Sequence, residues 1–159
     1  MSAPGLSPLP EPGAVIPHRG DALLIDRIVA LDDRRLQARL VVRAGTAFSD
    51  DQGALPPWAA PEIMAQAVAA FGSCRALVEL GRTAPLGLLL GVRQLDVRVE
   101  SFLPGQDVRV DVLCTSSDEE GRGVFDCELH VGEVLAATAT LTAFQPREAE
   151  VLHALLASG

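Results

Sequence analysis

Two side chains that are far apart in the chain, His18 and Glu62, have surroundings that suit acid–base chemistry. His18 lies between Pro17 and Gly20, in a segment where no amphipathic period accounts for a histidine. Pro17 stiffens the approach and Gly20 permits a turn, so the imidazole can be held in one place. Such an imidazole can act as a general base near neutral pH. An ordinary loop histidine is the alternative that this pattern alone leaves open.

Glu62 lies in a segment that is otherwise apolar. Between Ala59 and Cys74, every residue is apolar or small except Glu62 and Gln66. A carboxyl group that loses solvation is favoured in its protonated form, in which it can act as a general acid. Gln66 is one helical turn further on, on the same face, and can orient the carboxyl group by a hydrogen bond. The alternative is a glutamate that stabilises a helix N-terminus electrostatically.

The remaining candidate groups give little support to other reactions. His130 falls on the polar face of a predicted strand and His153 in the polar stripe of the tail, so both are expected at the surface. The sequence has no Gly-rich phosphate loop and no G-x-S-x-G motif. Its three scattered histidines do not form a recognisable ligand set, so we predict no metal site.

The pattern along the chain predicts one domain of the α+β class. Residues 1–15, rich in proline and glycine, are expected to form a flexible arm, 16–146 the domain, and 147–159 a short helix or tail. A buried helix is predicted from Trp58 to about Leu80, with Gly81 as its end. Strands are predicted over 23–31, 36–44, 92–99, 108–114, 124–131 and 134–144. Short connections between the last four favour an antiparallel meander, which gives one sheet curled around one helix. Such a sheet leaves an edge region uncovered, so pairing with a second copy is expected.

Composition restricts the partners. The 159 residues are 48% hydrophobic, which suits one compact core. A net charge of −8 argues against binding nucleic acid or an anionic membrane. No uninterrupted apolar run approaches the roughly 18 residues of a spanning helix. Three cysteines without metal-ligand spacing, and no basic leader ahead of Arg19, predict reduced thiols in a cytoplasmic protein.

The motifs around the two side chains resemble those of the 3-hydroxyacyl-ACP dehydratases of the hotdog superfamily. IPHRGDALLIDR over residues 16–27 is similar to that family's LPHR…LL.DR opening, and EIMAQ over 62–66 to its E-x-M-A-Q helix. The stretch 91–112, with FLPG over 102–105, is similar to its P-G-D.L strand pair. Trp58 before Glu62, and the ending Phe144-Gln145-Pro146, most resemble the dehydratases of aryl-polyene gene clusters. The resemblance covers roughly residues 14–146.

This resemblance implies a hotdog fold, in which an antiparallel sheet wraps around one long central helix, and a homodimer or higher homo-oligomer. His18 would take the α-proton of a 3-hydroxyacyl thioester, and Glu62 of the partner subunit would assist departure of the 3-hydroxyl group as water. The acyl chain would lie in an apolar tunnel, attached to the phosphopantetheine of an acyl carrier protein or to CoA, with no further cofactor. The residues expected to contact the substrate are Gly20, Pro57, Trp58 and Gln66.

One position departs from the family's pattern. The family commonly has a glycine five residues before the glutamate, whose amide helps to bind the thioester oxygen. Pro57 stands there and has no N–H, so Trp58 or a neighbouring amide would have to replace it. Two further interpretations stay open: a hotdog thioesterase, and a catalytically weak subunit that binds acyl chains or completes a heteromer.

Overall fold

The computed structural model describes residues 6–84, 87–146 and 148–158. Three helices and six strands follow one another within these ranges. In order, they are α1 (Pro12–Val15), β1 (Arg27–Leu31), β2 (Arg35–Val41), α2 (Ala60–Leu80), β3 (Leu88–Val97), β4 (Asp107–Ser117), β5 (Arg122–Val131), β6 (Val134–Phe144) and α3 (Ala149–Ala157). Short 3₁₀ turns at Gly20–Ala22 and Pro57–Ala59 precede β1 and α2. The predicted α+β plan is therefore confirmed.

The strands form one six-stranded antiparallel sheet in the order β1-β2-β4-β5-β6-β3. Strands β4, β5 and β6 follow one another as the predicted meander. The expectation that β3 joins this meander beside β4 is wrong, because β3 pairs with β6 at the far edge. The segment 98–106 carries the chain from that edge to the middle of the sheet, and it is held by two backbone hydrogen bonds between Leu55 and Phe102. Within the described ranges, one edge of β3 therefore has no neighbouring strand.

Helix α2 is the core element that the sheet covers. Ile63, Met64 and Ala67 have no exposed surface, and they pack in one cluster with side chains of the strands. Gly81 ends the helix as predicted, with a left-handed φ of 72° and its N–H bonded to the Leu77 carbonyl. By length and composition alone, the segment Pro57–Leu80 could span a membrane, but 56% of its most apolar window is buried within the chain. Its apolar character is that of a core helix.

Two boundaries differ from the sequence-based expectation. The arm predicted over residues 1–15 is wrong for its last part, since Pro12–Val15 form α1 and Val15 is buried in the core; residues 1–5 lie outside the described part of the chain. The first strand begins at Arg27 rather than at residue 23, because the amides of Leu24 and Ile25 bond to the Gln66 side chain instead of a neighbouring strand. At the other end, residues 149–157 form a helix.

Candidate active site

His18 and Glu62, separated by 43 intervening residues in the sequence, meet within one chain. The Nε2 atom of His18 lies 3.3 Å from Oε1 of Glu62, and their side chains are 29% and 32% exposed. The expectation that Glu62 reaches His18 from a partner subunit is wrong for this chain, because its own α2 presents the carboxyl group to its own histidine. The expectation that the apolar helix buries Glu62 is also corrected, since α2 turns this side chain toward an open groove.

Gln66 fixes this arrangement from beneath. Its side chain has no exposed surface and makes four hydrogen bonds. Oε1 accepts from the amides of Leu24 and Ile25, at 2.9 and 3.4 Å, and Nε2 donates to the Ala22 carbonyl at 2.8 Å. Nε2 also donates to Oε1 of Glu62 at 3.0 Å, which confirms the predicted bond one turn apart. Gln66 therefore joins α2 to the segment that follows His18 and orients Glu62.

The segment that carries His18 is a tight turn. Gly20 has a φ of 57°, a conformation that favours glycine, as the predicted turn requires. Arg19 folds back, and its guanidinium donates to the carbonyls of Ile16 and His18 at 2.6 and 2.7 Å. The second ring nitrogen of His18, Nδ1, is shielded from solvent and has no hydrogen-bond partner among the described residues. The turn therefore fixes the backbone, while the imidazole ring keeps a nitrogen that no protein group occupies.

A groove of about 640 Å³ opens at this pair. His18 and Glu62 line it together with Pro17 and Arg19, and it continues along α2 past Gly72. Its polar groups at the His18 end are an imidazole, a carboxyl group and a guanidinium. Oε1 of Glu62 is bonded to Gln66, whereas Oε2 has no hydrogen-bond partner among the described residues. The site therefore places an imidazole and a carboxyl group, with one carboxyl oxygen available, beside a space for an apolar group.

The four residues that were expected to contact the substrate do not line this groove. Gln66 is buried beneath it, and Gly20 and Pro57 lie outside its lining. Trp58 is 64% exposed, and its ring meets the edge of Phe48 with centroids 6.4 Å apart. Substrate contact by these residues therefore stays a prediction; in the free chain, Gln66 positions Glu62 and the turn, and the indole of Trp58 faces solvent.

The other histidines and the cysteines have surroundings of a different kind. His153 is exposed, as expected. His130 lies on the polar face of β5, as predicted, but in a cluster that the sequence analysis missed: its ligand atom and those of Asp111 and Glu128 lie within 4.8 Å of one another. Cross-strand pairing of Asp111 with Glu128 creates this group, and Arg109 already binds Asp111 at 2.9 Å. The cluster lies outside the groove.

The buried thiols are unsuited to nucleophilic catalysis. Burial raises the pKa of Cys74 to about 11 and, together with the charge of Asp126, that of Cys127 to about 12. A thiol attacks as its thiolate, which is scarce at neutral pH when the pKa is so high. These two cysteines are therefore core residues.

Comparison with known proteins identifies the family. The model of the ApeP-like family, described as ApeP dehydratase, matches residues 10–154. Because this match spans nearly the whole chain, the protein belongs to the ApeP-like family of dehydratases. A comparison with curated proteins gave no match.

Solved structures show the same fold. A chain of the dehydratase heterocomplex ApeI:P from Xenorhabdus doucetiae is similar with a TM-score of 0.82 and 24% identity, over 92% of this chain and 97% of that chain. The PaaI protein of E. coli gives a TM-score of 0.57 at 12% identity, over 76% and 78%. A mutant of thioesterase PA1618 from Pseudomonas aeruginosa gives 0.53 at 18% identity, over 78% and 82%. The predicted hotdog fold is confirmed.

Proposed function

We propose that this protein dehydrates 3-hydroxyacyl thioesters, carried by an acyl carrier protein, to trans-2-enoyl thioesters in aryl-polyene or related biosynthesis. The observation that supports this best is the distance of 3.3 Å between His18 Nε2 and Glu62 Oε1 at the start of an acyl-sized groove. The dehydratase family of the chain agrees with it. No bound cofactor is required, since the phosphopantetheine arm belongs to the substrate.

The reaction can be written with the groups present. The imidazole of His18 takes the proton from C2 of the substrate, and the electrons of that C–H bond form the C2–C3 double bond. The C3–O bond breaks, and the departing hydroxyl group takes a proton from Glu62, so water leaves. Oε2 of Glu62 suits this transfer because Gln66 occupies only Oε1. Since Gln66 fixes the carboxyl group, little reorganisation is needed during the step.

The short contact also explains how the site returns to its first state. After water leaves, His18 carries an extra proton and Glu62 is ionised. The two groups then form an ion pair at 3.3 Å. Transfer of the proton from the ring to the carboxylate restores both groups without any residue from another chain.

A single assay tests this function against its alternatives. The pure protein is incubated with 3-hydroxyacyl-ACP and, separately, with the matching 2-enoyl-ACP, and both are followed by mass spectrometry. We expect the two to interconvert with the mass difference of one water. Release of free acid would instead identify a thioesterase. No change in either thioester would favour an acyl-binding subunit that completes a heteromer.

Pro57 provides a prediction about rate. The amides of Ala59 and Ala60 already bond to the carbonyls of Pro56 and Pro57, so the amide of Trp58 is the remaining donor in this turn for the thioester oxygen. Replacing Pro57 by glycine restores one N–H, and we expect kcat to rise by up to about a hundredfold, the range of one oxyanion donor. Pro56→Gly adds an amide one residue earlier and is the matched control. Steady-state kinetics with equal rates for Pro57→Gly and wild type would contradict this role.

We further propose that the unpaired edge of β3 is where a second hotdog subunit binds. Leu89, Leu90 and Leu95 on this strand are 44–50% exposed. An edge strand that exposes apolar side chains is a template for strand addition. A second copy of this chain is the proposed partner, and the ApeI:P heterocomplex suggests a related subunit as the alternative.

The free, buried thiols of Cys74, Cys114 and Cys127 support a cytoplasmic location for this assembly.

A charged side chain at the unpaired edge of β3 should prevent a second subunit from binding there. We expect Leu90→Arg to convert a wild-type dimer into a monomer, as measured by light scattering after gel filtration, because a buried unpaired charge opposes association. Val134, which is 59% exposed at the start of β6, gives the control Val134→Arg, which should stay dimeric. A Leu90→Arg protein that remains a dimer would place the interface elsewhere. A monomeric wild type would favour the related subunit.

A further inference from the structure

The groove follows one face of α2. After Glu62, its lining includes helix residues at intervals of three or four, which lie one above another on a helix. One row of them, as far as the last helical turn, consists of small residues only: Ala65, Ala69, Gly72 and Ala76. Their size leaves the space above the helix open, so a chain that starts at Glu62 can run along it.

One side chain crosses this face. Gln145, just after β6, lies over Gly72 so closely that a Cβ atom there would overlap its side-chain amide. Two further glycines make room for the same residue. A Cβ on Gly87 would lie 3.3 Å from the Cβ of Gln145, and one on Gly121 would overlap the Gln145 carbonyl. The backbone N–H of Gln145 also donates to the Gly121 carbonyl at 2.8 Å. Glycines from three segments therefore hold Gln145 at a fixed place in the groove.

The lining changes character at this point. On the Glu62 side, Val68 and Phe71 continue the apolar wall that Ala65 and Ala69 begin. Beyond Gly72, the lining is mixed: apolar residues such as Leu80 and Leu88 alternate with charged side chains, which include Arg75, Glu79, Asp118 and Arg122. An apolar tail therefore gains burial against an apolar wall as far as Gly72, where it meets Gln145 and, beyond it, the charged groups.

We propose that Gln145, packed on Gly72, sets the depth of the acyl site and so selects acyl chains of medium length. This rests on the proposed function, whose substrate it specifies. Gly72 follows Glu62 by ten positions in α2, a rise of about 15 Å at about 1.5 Å per residue. An extended chain advances roughly 1.3 Å per carbon–carbon bond, so the site accommodates roughly eleven bonds.

The test measures binding, so that it does not depend on turnover. Saturated S-acyl-pantetheine thioesters of increasing chain length are titrated into the wild-type protein by calorimetry. Affinity should rise about fourfold with each methylene group until the tail reaches Gly72, and then level off. In Gln145→Ala, the rise should continue for several further methylenes. In Gly72→Ala, the added methyl group pushes the Gln145 amide into the groove, so the rise should end earlier.

The double variant and a distant glutamine complete the design. When Gly72→Ala is combined with Gln145→Ala, affinity should rise at least up to the acyl-chain length found for the wild type, because the overlapping side-chain amide is gone. Gln52, exposed in a loop, gives the control Gln52→Ala, which should leave the limit unchanged. Circular dichroism shows which variants fold. If Gly72→Ala does not fold, the result for Gln145→Ala alone decides whether Gln145 limits the chain length.

The outcomes separate this inference from the proposed function. If the chain length at which affinity levels off is the same in Gln145→Ala as in the wild type, the role of Gln145 is overturned, even if the wild type dehydrates short thioesters. A limit that moves with Gln145 supports that role, even if no thioester is dehydrated, in which case the proposed function fails. Failure of every thioester to bind overturns both.

Discussion

Replacing His18 by alanine is expected to lower kcat for dehydration by roughly 10²–10⁴-fold, the usual contribution of a positioned general base. The imidazole is the basic side chain in contact with Glu62 at the groove, and its Nδ1 has no protein partner among the described residues. The substitution removes a side chain that is 29% exposed, so the fold should survive.

Glu62→Gln should have a comparable effect. The amide keeps the shape of the carboxyl group and can still accept a hydrogen bond from Gln66, but it cannot deliver a proton to the departing hydroxyl group. The mass-spectrometric assay measures both variants, and thermal unfolding shows that they are folded. His153→Ala, at an exposed position, is the matched histidine control and should retain full activity. Near-wild-type turnover in either variant would exclude the assigned roles.

Loss of the Gln66 side chain should give the largest change in stability. Gln66→Ala leaves the Leu24 amide and the Ala22 carbonyl unpaired in the interior and creates a cavity beside them. Each buried group that loses its partner costs about 1–3 kcal/mol, so we expect the free energy of unfolding to fall by about 3–5 kcal/mol. Kinetically, kcat should fall as well, because Glu62 loses the bond that orients it.

A conservative variant separates the polar effect from packing. Gln66→Met keeps most of the volume and still removes the hydrogen bonds, so it should be destabilised almost as much as Gln66→Ala. Gln52→Ala removes an exposed glutamine and should change the free energy of unfolding by less than about 0.5 kcal/mol. Urea unfolding followed by circular dichroism measures all three. A Gln66→Met protein as stable as the wild type would show that the four hydrogen bonds contribute little.

The sequence predicted the elements well because their signals are local. The apolar face of α2, its end at Gly81 and the period-two strands each depend on residues within a short window. Pairing of β3 with β6 could not be predicted in this way, because both possible neighbours of β3 present similar alternating faces. The choice depends on the path of the connecting segment 98–106, which is held by the backbone pairing of Leu55 with Phe102.

In the candidate site too, residues with local signals could be predicted, and features that depend on long-range packing could not. His18 and Glu62 could be found because each is unusual in its own neighbourhood, and Gln66 because it lies one turn from Glu62. Their assignment to different subunits came from the resemblance and was wrong, since which chain supplies Glu62 depends on how the His18 turn docks on α2. The exposure of Trp58 and the place of Gln145 depend on packing between distant segments, which no local pattern reports.

The meeting of acid and base within one polypeptide has an evolutionary consequence. Any neighbouring subunit that helps to close the groove need not supply a reactive group to this site. After gene duplication, such a subunit could lose its chemistry and persist for its shape alone. A pair of unequal paralogues is therefore a stable outcome for this architecture.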